Sequence, residues 1–214
     1  ALHMRIFLPE YRLLPEHPAP AAFDDCLAVW RQMMVRAEAL GLDATKILLY
    51  GESAGGALAA GMAQQLLAEC DVRPVGQLLI YPVLDDRCGR YASMEQSVDV
   101  AWPRSSNEQM WREYLRDITS PAAPLVPLRT DYSALAGLPP AYIEPQEIDI
   151  LHDEAVTYAE ALTAAGITVQ LNEVSGSYHG FDAESDNAFV SRVIQRRLCA
   201  MKTMLESSSR QPRP

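Results

Sequence analysis

The sequence predicts an α/β fold with one mostly parallel sheet of about five strands, flanked by helices. Short buried-strand runs alternate with helical segments, and a helix or a loop separates each run from the next. This alternation is typical of a parallel α/β sheet. The chain has 214 residues, 49% of them hydrophobic, which is enough for one sizeable core. We therefore expect a single domain over residues 1–206 and a disordered tail over residues 207–214.

Each predicted element rests on the spacing of its apolar residues. Short apolar runs predict strands at residues 4–8, 46–50, 77–81, 140–144 and 168–174. Helical spacing predicts helices at residues 21–40, from Gly56 to about Glu69, at residues 155–165 and at residues 186–205. Strand and helix therefore follow each other along most of the chain.

A long insertion separates the third and fourth predicted strands. Residues 85–138 are rich in proline and contain Trp102 and Trp111, with a helix expected at residues 110–115. The two tryptophans can line a pocket, although packing is the more common role of an aromatic side chain in such a segment.

Charge and cysteine usage exclude several classes of protein. The chain has 18 Lys and Arg residues against 28 Asp and Glu residues, a net charge of −10 at pH 7. Binding to nucleic acid needs Lys and Arg to neutralise phosphates, so we expect no nucleic-acid partner. The four cysteines show no C-x-x-C pair and no metal-ligand spacing, and no apolar run reaches 18 residues. We expect free thiols, no metal, no membrane span and a cytoplasmic location.

The segment Gly51-Glu52-Ser53-Ala54-Gly55 satisfies the pattern G-x-S-x-G and lies between a predicted strand and a predicted helix. On a tight strand-to-helix turn a serine hydroxyl stands clear of the sheet, and the flanking glycines allow close approach of neighbouring segments. The N–H groups at the start of the helix point at developing negative charge. The alternative is a turn of small residues that serves packing alone.

A nucleophilic serine needs a base, and the base needs an acid that fixes its tautomer. Asp149 follows the fourth predicted strand and His179 follows the fifth. Loops at the carboxyl ends of parallel strands meet at one edge of the sheet, so Ser53, Asp149 and His179 are candidates for one site.

Other acids and histidines compete for these roles. Glu147, Asp153 and Glu154 crowd around Asp149, and any one of the four is open to interpretation as a solvated carboxylate at the start of a helix. His3, His17 and His152 are weaker candidates than His179. His3 lies before the first predicted strand, His17 lies in a proline-rich turn, and His152 lies at the start of a predicted helix beside two acids.

Several segments together resemble the bacterial hormone-sensitive-lipase-like carboxylesterases, from the first predicted strand to about Leu205. The segments that carry the resemblance are Tyr11–Pro18, Gly51–Gly56, Gln77–Pro82, Ile148–Glu154 and His179–Phe181. The resemblance implies a partial α/β-hydrolase fold and an esterase that needs no metal and no cofactor.

The resemblance also implies a role for each candidate residue. Ser53 would be the nucleophile, Asp149 the acid and His179 the general base, and the backbone N–H of Ala54 would donate to the oxyanion. The stretch between Trp102 and Trp111 resembles the border of the acyl pocket. Glu52, Trp102 and Trp111 are the candidate pocket residues.

The sequence departs from this family in one respect. The family has an H-G-G-G-type oxyanion loop, preceded by a helical cap, ahead of the strand that corresponds to residues 4–8, and neither segment occurs in these 214 residues. Loss of one oxyanion donor costs about 10²- to 10³-fold in rate. In the family the strand that carries this loop lies between the strands corresponding to residues 4–8 and 46–50. We therefore expect exposed sheet edges that favour a homo-oligomer, or else a longer natural protein of which this chain is a part.

Three functions remain open at this point. The first is hydrolysis of small, short-chain acyl esters by a serine carboxylesterase. The second is a catalytically silent α/β-hydrolase scaffold that acts as a binding or assembly module. The third keeps the enzyme and changes the bond to an amide, a thioester or a lactone, because all of these use the same triad.

Overall fold

The polypeptide folds around a four-stranded parallel sheet. A computed structural model describes residues 4–69, 72–95, 101–183 and 187–208. The strands are β1 (Leu48–Glu52), β2 (Gly76–Ile80), β3 (Ala141–Glu144), β4 (Gln146–Ile148), β5 (Val169–Leu171) and β6 (Val174–Tyr178). The α-helices are α1 (Ala21–Val35), α2 (Ala37–Leu40), α3 (Ala54–Glu69), α4 (Arg104–Tyr114), α5 (His152–Ala164) and α6 (Ala188–Ser208). Short 3-10 turns include Ala92–Glu95 and Phe181–Ala183.

The strand order of the main sheet is β1-β2-β3-β5, and every neighbouring pair is parallel. Glu52 pairs with Ile80, and Ile80 pairs with Glu144, so β1, β2 and β3 end level with one another. β4 and β6 form a separate parallel pair. Because the carboxyl ends of the strands lie at one edge, the loops that follow them are brought together there.

Helices cover both faces of the main sheet. Side chains alternate along β2, so Leu79 packs in a cluster with α1, α3 and α5, whereas Leu78 and Ile80 pack against α6. Leu66 of α3 is completely buried in the first cluster, and Met204 of α6 is buried in the second. The predicted class, a mostly parallel sheet flanked by helices, is confirmed.

The prediction of a strand at residues 4–8 is wrong. These residues have no regular secondary structure, and Ile6 and Leu8 are 78% and 87% exposed. β1 pairs only with β2 in the described chain and forms an edge of the sheet, so residues 4–8 have no neighbouring strand. A short apolar run forms a strand only where a partner satisfies its backbone N–H and C=O groups.

Several element boundaries differ from the predicted ones. The strand predicted at residues 168–174 is divided between β5 of the main sheet and β6 of the small one. The helix predicted at residues 21–40 breaks at Arg36 into α1 and α2, and Gly41 ends α2 in the left-handed conformation, with φ of 60°. α4 begins at Arg104, six residues before its predicted start. α6 continues to Ser208, while residues 186 and 209–214 lie outside the described residues.

Candidate active site

Ser53 occupies the turn between β1 and α3, at the carboxyl edge of the sheet. Its φ is 54°, in the left-handed region that residues other than glycine rarely adopt. The N–H of Ser53 donates to the carbonyl of Ile80 at 2.9 Å, and its own carbonyl accepts from the N–H of Val83 at 3.1 Å. These bonds fix the strained turn to the end of β2, and the strain is of the kind found at nucleophiles on such turns.

The close packing of this turn depends on two glycines. A Cβ atom on Gly51 would lie 2.0 Å from the carbonyl oxygen of Gly55, and one on Gly56 would lie 2.6 Å from Cβ of Pro82. A Cβ atom on Gly55 would meet nothing within 4 Å. Close approach therefore requires Gly51 and Gly56, whereas the second glycine of the G-x-S-x-G pattern has open space beside it.

The structure brings Ser53, Asp149 and His179 together. Oγ of Ser53 lies 2.9 Å from Nε2 of His179, and Oδ2 of Asp149 lies 2.8 Å from Nδ1 of the same ring. Both distances are those of good hydrogen bonds. In a neutral imidazole this arrangement puts the proton on Nδ1 and leaves Nε2 as the acceptor that faces the serine hydroxyl.

Asp149 is buried beside the histidine and accepts two hydrogen bonds. It is 1% exposed, and its second carboxylate oxygen accepts from the N–H of Leu151 at 3.1 Å. The neighbouring acids are engaged elsewhere: Glu147 accepts from the N–H of Gly176, and Asp153 accepts from the N–H of Ser93. Among the acids of this segment, Asp149 is the one that bonds to His179 in the described structure.

Ala54 is an exposed residue, and its backbone N–H is the first of α3. It has no backbone acceptor within the described chain, as is usual for the first N–H groups of a helix. Together with the positive end of the helix dipole, it can donate to a negative oxygen beside Ser53.

The chain is similar to known proteins over most of its length. Residues 1–183 match the family described as the alpha/beta hydrolase fold. The chain belongs to the α/β-hydrolase family. Curated relatives include an ethyl acetate hydrolase of Pseudomonas putida and a carboxylesterase of Mycobacterium tuberculosis, each 37% identical over 80% of this chain. The resemblance to bacterial hormone-sensitive-lipase-like carboxylesterases is confirmed.

Solved structures of esterases superpose closely on this α/β hydrolase. A bacterial heroin esterase has a TM-score of 0.86 at 35% identity and covers 92% of this chain, which covers 63% of the esterase. The esterase LipW of Mycobacterium marinum has a TM-score of 0.85 at 36% identity, with 91% and 61% covered. The chain spans 54% of the length of each of the two curated relatives named above.

The three predicted pocket residues of the hydrolase lie in different surroundings. The ring of Trp102 stacks over His179, with centroids 6.2 Å apart, and its indole N–H donates to Asn107 at 3.1 Å. Trp111 is 4% exposed and packs in a core cluster of the insertion, where its N–H has no partner among the described residues. Glu52 is exposed and accepts a hydrogen bond from the hydroxyl of Tyr50, and its other carboxylate oxygen lies 3.4 Å from the hydroxyl oxygen of Tyr81. Of the three, Trp102 is the one whose ring is stacked on that of the histidine.

Residues that the sequence analysis did not single out surround the histidine. The ring of Tyr81 lies 4.8 Å from that of His179, and the hydroxyl of Tyr81 donates to Asp182. Asp182 also accepts from Arg197, which reaches over from α6. Tyr81 belongs to a segment that carries the family resemblance, but its role depends on contacts between residues about 100 positions apart, which no local pattern reveals.

Glu154 is a buried acid, although the sequence left it open to interpretation as a solvated carboxylate at the start of a helix. It is completely buried, and one carboxylate oxygen accepts from the N–H of Leu84 at 2.6 Å, while the other has no partner in the described chain. Burial raises the pKa of Glu154 well above its ordinary value of 4.5. The side chain ties the loop after β2 to the first turn of α5, which directly follows the loop of Asp149.

Neither a metal cluster nor a membrane span occurs in the part of the chain that the structure describes. No group of three or more His, Cys, Asp and Glu side chains there is arranged to hold a metal ion. No helix in the described ranges is long and apolar enough to cross a membrane. The absence of a cofactor stays a prediction.

Proposed function

We propose that this α/β hydrolase is a serine carboxylesterase that hydrolyses small esters through an acyl-enzyme on Ser53. The observation that carries the proposal is the continuous hydrogen-bonded chain from Ser53 through His179 to Asp149. The relatives whose names describe ester hydrolysis support the same reaction.

In the first half of the reaction, Oγ of Ser53 attacks the ester carbonyl carbon while Nε2 of His179 takes the hydroxyl proton. The resulting oxyanion accepts a hydrogen bond from the N–H of Ala54, and Asp149 stabilises the imidazolium. The bond to the alcohol then breaks, the alcohol leaves with the proton from Nε2, and the acyl group stays on Ser53.

In the second half, water replaces the alcohol. His179 takes a proton from the water as its oxygen attacks the acyl carbon, and a second oxyanion forms beside Ala54. Collapse breaks the bond to Ser53, returns the proton to Oγ and releases the carboxylic acid.

We propose that the substrates are esters with short acyl chains. Trp102 is placed over His179 and limits the space on that side of the reacting carbon. The printed name of the Pseudomonas putida relative, ethyl acetate hydrolase, supports a small acyl group. Glu52 and Trp111 remain proposed pocket residues. Amides, thioesters and lactones are the alternative substrates, because the same triad can hydrolyse all of them.

The alternative of a silent scaffold is not favoured. A scaffold has no need for a buried acid, an oriented histidine and a strained serine turn together, because the strain of such a turn is costly.

We further propose that the exposed edge of β1 pairs with a second copy of the chain. β1 pairs with β2 alone in the described structure, and Tyr50 on this strand is 43% exposed. Open edges of this kind favour association. Sedimentation at micromolar concentration checks the proposal, and a strictly monomeric species would contradict it.

We propose a cytoplasmic location because the cysteines that the structure describes are free thiols. Burial, with the charge of Asp25, raises the pKa of Cys26 to about 11, and burial also raises the pKa of Cys88. Cys26, Cys88 and Cys199 are free, and Cys70 lies outside the described residues. Free thiols fit a reducing compartment, which fractionation of the native host cells checks.

Hydrolysis of p-nitrophenyl acetate and butyrate by the purified chain tests the proposed reaction. We expect Ser53-dependent turnover, with Ser53→Ala reducing it by at least about 10³-fold. Ser191→Ala, which changes an exposed serine of α6, is the matched control and should leave turnover unchanged. A folded parent chain that shows no difference from Ser53→Ala would favour the scaffold.

A further inference from the structure

Two residues other than glycine have a left-handed backbone among the described residues: Ser53, with φ of 54°, and Tyr81, with φ of 35°. They follow the ends of neighbouring strands, β1 and β2. Backbone strain at such positions persists where the surrounding structure enforces it, and it clusters at functional sites. The reaction proposed above accounts for the strain at Ser53 and leaves that at Tyr81 unexplained.

The strained backbone places the ring of Tyr81 against the histidine. The two ring centroids are 4.8 Å apart with an interplanar angle of 59°, and Tyr81 is 5% exposed. Its backbone N–H donates to the carbonyl of Glu144 at 2.8 Å, which fixes the residue to the end of β3. The phenol ring therefore forms one wall of the space in which the imidazole can move.

The hydroxyl of Tyr81 continues this contact into the loop that carries the histidine. It donates to Oδ1 of Asp182 at 2.9 Å, and Asp182 lies three residues after His179 in the turn Phe181–Ala183. Burial, followed by the negative charges of Glu52 and Asp182, raises the pKa of Tyr81. The hydroxyl thus keeps its proton and stays a donor at neutral pH.

Asp182 is fixed from its other side by an arginine of α6. Nη1 of Arg197 donates to Oδ2 of Asp182 at 2.5 Å, and Nη2 donates to the completely buried Glu144 at 2.6 Å. The side chains of Arg197 and Asp182 are 6% and 10% exposed, so solvent screens this pair little. The ends of β2 and β3, helix α6 and the histidine loop are joined through these four side chains.

We propose that Tyr81 and Asp182 are positioning residues that hold the imidazole of His179 in line with Oγ of Ser53, with Arg197 as the anchor of Asp182. The inference rests on the proposed function, because it assigns the pair a part in that reaction. A merely structural tie between α6 and the sheet would affect stability and leave the chemical step alone.

Steady-state kinetics with p-nitrophenyl acetate test the inference through two conservative variants. Tyr81→Phe keeps the ring and removes the bond to Asp182, and we expect kcat to fall about tenfold. Asp182→Asn removes the charge that Arg197 binds, and we expect a fall of about ten- to hundredfold, as for a small misplacement of a reacting group. KM should change by less than about twofold in both, since orientation of the base acts on the transition state.

A control removes a more exposed ion pair elsewhere, in which the side chains of Arg12 and Asp25 are 50% and 28% exposed. Asp25 accepts from both Nε and Nη2 of Arg12, at 2.9 Å and 2.8 Å, on helix α1. Asp25→Asn should leave kcat unchanged even where it lowers the melting temperature. If Tyr81→Phe and Asp182→Asn keep kcat within about twofold of an active parent, as a purely structural tie would, the inference is overturned.

The imidazole proton gives a second readout that needs no turnover. The proton between Nδ1 of His179 and Asp149 gives a downfield NMR resonance while the ring is held and shielded from solvent. We expect this resonance to broaden or vanish in Tyr81→Phe and Asp182→Asn and to persist in Asp25→Asn. An inactive parent would overturn the proposed function, whereas an unchanged resonance in both variants would overturn the positioning role by itself.

Discussion

The backbone of Gly51 leaves no room for a side chain. A Cβ atom there would lie 2.0 Å from the carbonyl oxygen of Gly55, which belongs to the backbone and cannot turn away. Gly51→Ala should therefore destabilise the fold by about 3 kcal/mol or more. For a chain of this length we expect the melting temperature to fall by at least about 6 °C.

Gly55→Ala is the matched control for this prediction. It adds the same methyl group two residues beyond Ser53, where nothing lies within 4 Å, and alanine favours a helix over glycine by about 1 kcal/mol. Thermal unfolding followed by circular dichroism compares the two. Equal melting temperatures for the two variants would show that the turn is not packed as described.

Glu154 makes stability depend on pH in an unusual direction. Because burial raises its pKa above the ordinary value of 4.5, the folded chain binds this proton more tightly than the unfolded chain does. The stability that it contributes is fully present below pH 4.5 and is lost as the pH rises toward the folded-state pKa.

Glu154→Gln removes this proton while an amide oxygen still accepts from the N–H of Leu84. We expect the variant to gain stability relative to the parent as the pH rises above 4.5, with a constant difference below that pH. Urea unfolding of both proteins from about pH 4 to about pH 8 measures the difference. A difference that does not change with pH would contradict a raised pKa.

Among the elements, α5 depends on a contact with the insertion. Oγ of Ser93, in the turn Ala92–Glu95, donates to the carbonyl of Ile150 at 2.8 Å and accepts from the N–H of Asp153 at 3.3 Å. The N–H of Ser93 donates in return to the carboxylate of Asp153 at 2.9 Å. These bonds hold the first turn of α5, which directly follows the loop of Asp149.

Ser93→Ala should leave the buried carbonyl of Ile150 and the half-buried N–H of Asp153 without their bonds to Oγ. The expected cost is about 1–3 kcal/mol, or roughly 2–12 °C in melting temperature. Ser191→Ala, on the exposed side of α6, should change the melting temperature by no more than about 2 °C. A Ser93→Ala variant as stable as Ser191→Ala would mean that the contact does not hold α5.

The elements that were predicted correctly have strong local signals. β1, α3, β2 and β3 fall within two residues of the predicted strands and helix, because each is a run of apolar residues with one clear period. Residues 4–8 have the same kind of apolar run and form no strand, because pairing is a tertiary property. The division between β5 and β6 cannot be predicted from the sequence for the same reason, because the two strands belong to different sheets.

At the scale of the whole molecule, the order of elements along the sequence predicts that the triad side chains meet. It does not predict which other residues hold them in position. A parallel sheet takes Ser53, Asp149 and His179 to one edge, so their positions after strands sufficed to predict that they meet. Tyr81, Asp182 and Arg197 carried no such signal. Their proposed role depends on the left-handed φ of Tyr81 and on the contacts that Asp182 makes with Tyr81 and Arg197. A tyrosine after a strand or an arginine in a helix commonly serves packing or solvation, so neither residue type indicates this role.

The most direct test of the proposed mechanism is covalent trapping of Ser53 by a fluorophosphonate, followed by mass spectrometry of the intact chain and of its peptides. A serine activated by His179 displaces fluoride from phosphorus and keeps the phosphonyl group. The mechanism predicts one adduct per chain, on Ser53, that is lost in Ser53→Ala and in His179→Ala. The mechanism would be contradicted if the folded parent chain formed no adduct. It would also be contradicted if the His179→Ala variant formed the Ser53 adduct as fast as the parent does.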